Sequence, residues 1–86
     1  MTVEEFVTQL ESNLRRDLSL SITFKVIVNY IKDSIILVIE IPVDRTYISL
    51  NFDVVNISFI KSVEYSTCYD YLMSRLKQTV LSLYFN

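Results

Sequence analysis

Glycine, alanine, histidine and tryptophan are all missing from this 86-residue chain, which holds a single proline and a single cysteine. Each gap removes a class of chemistry. Without histidine there is no Ser-His or Cys-His pair and no imidazole to ligate a metal. Without glycine no backbone can close on a phosphate in the P-loop or dinucleotide manner, so every turn must be built from Asn, Asp, Ser, Pro or Lys. Cys68 cannot form an intrachain disulfide, which fits a reducing compartment, and a cytoplasmic protein is expected. The longest wholly aliphatic run, Ile35 to Ile39, is far short of a membrane span. The start Met1-Thr2-Val3-Glu4-Glu5 is acidic and polar where a signal peptide would be basic and then apolar. No membrane association is expected.

Strong charge of either sign is missing too. The formal net charge is −2, and the only adjacent like-charged pairs are Glu4-Glu5 and Arg15-Arg16. That is no electrostatic footprint for nucleic acid. What the chain does have is apolar bulk: 51% of residues are hydrophobic against 21% charged, enough to offset the entropy of ordering one core. One domain spanning residues 1–86 is expected, since two would each fall below the usual minimum. A domain of this size buries only about 60% of the surface its unfolded chain exposes, so a partner or a second copy would add to a modest core.

The apolar spacing changes period along the chain. Thr2-Val3-Glu4-Glu5 reads as a capping box, followed by Val3, Phe6, Val7, Leu10 and Leu14 on one helical stripe that ends near Asp17. From Leu20 to Tyr30 apolar and polar residues alternate, as in a long half-buried strand. Ser34 to Ile41 is a nearly continuous β-branched run ended by Pro42, the pattern of a central strand. A tight turn at Lys32-Asp33 would set Val28 opposite Leu37, Val26 opposite Ile39 and Lys25 opposite Glu40. Ile48, Leu50, Phe52 and Val54 then alternate in a third strand, and the phase flips at Val54-Val55. Either a bulge re-aims that strand, or Asp53 to Asn56 turns into a short fourth strand, the alternative preferred here. Ser66-Thr67 is expected to cap a second helix whose stripe Tyr69, Leu72, Leu76, Val80 and Leu83 continues to the C-terminus. The class is α+β: helix, antiparallel meander of three or four strands, helix, with both helices on one face of the sheet.

No residue set points to catalysis. Cys68 stands at a predicted helix N-terminus, where the dipole favours a thiolate, but a spectator thiol is the expectation. Glu4-Glu5 suits helix stabilisation better than acid-base work. A non-enzyme without metal or cofactor is expected, which leaves two candidate contact surfaces. Tyr65, Tyr69 and Tyr71 crowd the start of the second helix, and such rings anchor protein interfaces as often as they fill cores. The second surface is the sheet face opposite the core set, carrying Ile27, Ile31, Ile36 and Val38. If both helices cover the other face, these four form an apolar patch in water, of the kind that marks contact sites; if the helices straddle the sheet, they are buried. A homodimer is expected where the sheet face is the contact. The alternative is a nucleic-acid-associated regulator using Arg15, Arg16, Lys25 and Lys61.

The order helix, short antiparallel meander, helix in fewer than 90 residues resembles small accessory proteins encoded by phages of low-GC Gram-positive hosts, among them anti-CRISPR proteins. The resemblance spans the whole chain as a topology and rests on no motif residues, so it transfers no site. This chain departs from the strongly acidic, DNA-mimicking members in having a net charge of only −2. What the resemblance implies is an inhibitor or adaptor acting by protein contact.

Overall fold

Residues 1–79 and Tyr84 are described by the structure, a computed structural model of the chain. The elements run α1 (Val3–Asp17), β1 (Thr23–Asn29), β2 (Ser34–Val43), β3 (Thr46–Asn56), a short 3₁₀ turn (Ile57–Phe59) and α2 (Tyr65–Lys77). The strands form one antiparallel meander in the order β1-β2-β3. The α+β arrangement is therefore the expected one, in its three-stranded form. Among the described residues no helix is long and apolar enough to cross a membrane.

The first helix starts where the sequence places it because its cap is complete. Thr2 Oγ1 accepts from the Glu5 amide at 3.1 Å, and the Glu5 carboxylate accepts from the Thr2 amide at 3.0 Å. Amides that a first turn would leave unpaired are satisfied in both directions. The backbone bond from Thr2, helped by its hydroxyl, also holds the Glu5 carboxyl below its ordinary pKa. Phe6, Leu10 and Leu14 form the buried stripe. Beyond Asp17 the buried Leu18 closes the helix end, and a turn through Ser19 to Ile22 reverses the chain. That turn takes the first residues expected in β1: the strand begins at Thr23, and Leu20 is 99% exposed.

The β1–β2 hairpin keeps the expected faces but slips by two residues. Val26 pairs with Leu37, Val28 with Ile35 and Asn29 with Ser34, so Lys25 lies opposite Val38 and not Glu40. The reason is the turn. A two-residue loop at Lys32-Asp33 would need positive φ at Lys32 in either of the turn types that suit a hairpin, which lysine resists. The chain instead makes a four-residue loop, Tyr30 to Asp33, in which Asp33 alone takes the left-handed conformation at φ 53°. Asn29 Oδ1 accepts from the Lys32 amide at 3.1 Å within it. Because the slip is an even number, no side chain changes face.

The phase flip in β3 is a bulge, and the preferred fourth strand does not form. Asp53 pairs with Ile36 and Val55 with Ile35, leaving Val54 as the extra residue. After Asn56 the chain enters the 3₁₀ turn, which is tied to the first hairpin: Asp33 accepts from the Ser58 amide at 2.8 Å and from its hydroxyl. Those bonds draw residues 57–59 away from the sheet edge where a fourth strand would lie.

The second helix begins two residues before its expected cap. Glu64 is the N-cap; its carboxylate makes no capping bond to a helix amide and accepts instead from Ser66 Oγ at 2.7 Å. Packing of Tyr65 edge-on against Phe6, with centroids 5.1 Å apart, recruits that residue into the first turn. The helix ends at Lys77; the expected continuation through Val80 and Leu83 lies outside the described residues.

Both helices cover the same side of the sheet. Phe6, Leu10 and Leu14 of α1 and Tyr69, Leu72 and Leu76 of α2 join Ile35, Leu37, Ile39 and Ile41 of β2 and Phe52 of β3 in one core. Ile35, Leu37, Ile39 and Ile41 are at most 1% exposed. Each such side chain contributes about 1.5–3 kcal/mol by leaving water, so β2 is the chief anchor of the fold.

Candidate functional site

With both helices on the odd-numbered side of β2, the even-numbered side faces solvent. Strand pairing sets Ile27 directly opposite Ile36, and Lys25 opposite Val38. On the other flank Ile36 lies opposite Asp53, and Val38 opposite Asn51. The result is an aliphatic trio, Ile27, Ile36 and Val38, framed by Lys25, Glu40, Asn51 and Asp53. Ile27 is 38% exposed, and Ile36 and Val38 are half-buried. None of the three belongs to the core or packs against it. At one end of the face a shallow notch of about 210 Å³ is lined by Thr23, Phe24, Lys25, Val38 and Glu40, below the roughly 300 Å³ at which small-molecule pockets begin.

Ile31, expected beside this trio, is placed elsewhere. The two-residue register slip puts it in the hairpin loop, 98% exposed and off the sheet. It extends the apolar surface at the hairpin tip without joining the patch.

The tyrosine cluster divides by role. Tyr69 is 7% exposed, and its hydroxyl donates to Asp17 Oδ2 at 2.6 Å. Tyr65 stacks on Tyr69 with centroids 5.9 Å apart, and its hydroxyl accepts from Asn13 Nδ2 at 2.8 Å. Residues 13 and 17 are one turn apart on α1, as 65 and 69 are on α2, so two parallel helices are joined by a ladder with two rungs. Burial raises the pKa of Tyr69, as does its bond to the Asp17 carboxylate; burial likewise raises that of Tyr65. These two rings are fold elements. Their spacing with Leu72 and Leu76, at i, i+4, i+7 and i+11, is the signal that separates them from Tyr71. Tyr71 is 65% exposed. The Arg75 guanidinium sits 5.5 Å from its ring and 5.4 Å from that of Phe52 while donating to Asp53 O at 2.8 Å.

Cys68 is half-buried, and that burial raises its thiol pKa. The shift is opposite to the one a reactive nucleophile at a helix N-terminus requires. The basic residues considered for nucleic acid do not converge on one surface. Arg16 makes a two-pronged contact with Asp17 at 2.8 and 2.9 Å, Arg15 leans toward Glu11 at 3.8 Å, Lys25 lies on the open sheet face, and Lys61 follows the 3₁₀ turn at the hairpin end. Compared with known proteins, the chain matches no family, no curated sequence and no solved structure.

Proposed function

We propose that this chain is a small non-enzymatic protein that works by protein contact, as an inhibitor or adaptor of the phage-accessory kind, binding another protein through the open sheet face and also associating with itself. The observation that carries the reading is the uncovered Ile27, Ile36 and Val38 trio inside a polar frame. An apolar centre with a hydrophilic rim is the usual anatomy of a protein contact surface. The raised pKa of the half-buried Cys68 weighs against a reactive-thiol role. Tyr71, with Arg75 over its ring, is the one tyrosine of the three that a partner can reach.

The test is a paired substitution, Ile36→Lys with Val38→Glu. Each new charge stands opposite a complementary one across the ladder, Asp53 and Lys25 respectively, so the fold is retained and only the patch turns polar. In nuclease-treated host extract at physiological salt, the wild-type chain is expected to retain a defined protein that the variant loses, with both giving the same circular-dichroism spectrum. Equal retention by both would remove the sheet face from the proposal. Retention that vanishes on nuclease treatment would favour the nucleic-acid alternative.

A further inference from the structure

The outer edge of β1 is the unguarded edge of this sheet. Edge strands of monomers are ordinarily protected by a proline, a bulge, an inward charge or a covering side chain. β3 has two of these devices: the bulge at Val54, and Arg75 capping Asp53 O at 2.8 Å. Across its seven residues β1 has none, since it contains no proline, pairs without a bulge, and turns its one charge, Lys25, to the open face. Among the described residues no hydrogen bond reaches its outer backbone groups. Its core-facing residues are also unfinished. Phe24, Val26 and Val28 remain half-buried, whereas their partners Ile39, Leu37 and Ile35 are 0% exposed. A strand laid along this edge would complete their burial.

We infer that the occupant of this edge is β1 of a second copy, paired antiparallel about a two-fold axis at Val26. In that register Val26 meets Val26, Phe24 meets Val28 and Lys25 meets Ile27, so all seven residues pair, core face meets core face, and no like charges oppose. The helices above the strands supply the charge complementarity. A groove at the Val28 end of β1 is bordered by Glu4 of α1, and one at the Phe24 end by Arg15. Since Val28 of one copy faces Phe24 of the other, Glu4 of each copy is carried to Arg15 of its mate, twice by symmetry. Arg15 is 68% exposed and only loosely engaged by Glu11 at 3.8 Å. The assembly is a six-stranded sheet with four helices on one side and two open faces merged on the other. It deepens the self-association part of the proposed function and rests on it, but it does not need the open face to bind anything.

The experiment is solution mass by sedimentation across a concentration series, using the full chain with its surface charges exchanged. The wild type is expected at twice the chain mass of 10.1 kDa. Glu4→Arg and Arg15→Glu alone should each weaken dimerisation roughly tenfold, because each turns two attractive pairs repulsive. The double variant Glu4→Arg with Arg15→Glu should restore it. Both positions are exposed, and an unchanged circular-dichroism spectrum confirms folding. A mass of one chain at every concentration overturns both this assembly and self-association. A dimer insensitive to the single reversals, or one the double variant fails to rescue, overturns the edge assembly only; if Ile36→Lys with Val38→Glu then dissolves it, the copies meet through the open face.

Discussion

The Tyr69 hydroxyl donates to Asp17 Oδ2 at 2.6 Å, joining α2 to the last residue of α1 across 52 positions of sequence. The acceptor is a carboxylate and the ring is almost wholly buried, so the bond belongs to the stronger class of side-chain hydrogen bonds. Tyr69→Phe keeps the ring and its packing and removes only the donor. A loss of about 1–2 kcal/mol in urea unfolding is expected, with no change in the slope of the transition.

Acid should find the same carboxylate. Arg16 is the main cause of its low pKa of about 2, against an ordinary 3.8, with the Tyr69 hydroxyl acting in the same direction. A group whose folded pKa is depressed contributes stability that is complete above its unfolded value and fades as pH falls through the folded one. Stability should therefore drop between about pH 4 and pH 2, by roughly 1 kcal/mol from Asp17 once solvent screening is allowed for. Asp17→Asn should flatten that part of a melting-temperature profile; an unchanged profile would show that the acid response lies elsewhere.

Alternation along β2 makes a sharp contrast between adjacent residues. Leu37 is 0% exposed under both helices, while Ile36 faces outward. Leu37→Ala should cost about 2–5 kcal/mol through lost burial and the cavity left behind. At Ile36 the same change should cost less than about 1 kcal/mol, because a surface with no covering layer leaves no cavity. Comparable losses at the two positions in denaturant titrations would mean that something covers the open face.

Alkylation gives an independent reading of Cys68. Since burial raises its pKa, iodoacetamide at neutral pH should label it more slowly than an unhindered peptide thiol, and unfolding should abolish the difference. Labelling faster than the peptide would reopen the reactive-thiol reading.

Much of this fold was legible in the residues, and the misses share a physical origin. The capping box at Thr2 and Glu5, the α1 stripe and the side of the sheet to which each strand residue points follow from periodicity, which survives small errors in pairing. Register does not survive them. It depends on which loop residue tolerates positive φ, and the choice of Asp33 without Lys32 moved Lys25 away from Glu40 and Ile31 off the sheet. The bulge at Val54 and the fourth strand explain the same phase flip equally well until the bonds from Ser58 to Asp33, 25 residues apart, decide between them. Of the candidate contact residues, Ile27, Ile36 and Val38 come together as the alternation implies. Tyr65 and Tyr69 turn to the core because matching polar groups, Asn13 and Asp17, wait one turn apart on α1.

Every strand of the meander pairs with its neighbour in sequence, so the sheet assembles by short loop closures and the folding rate should be high for a chain with this much β structure. The distant event is the clasp of the two helices. It is expected to form after the hairpins and to contribute little to the rate-limiting barrier, so that loosening it should act chiefly by hastening escape from the native state, not by slowing arrival there.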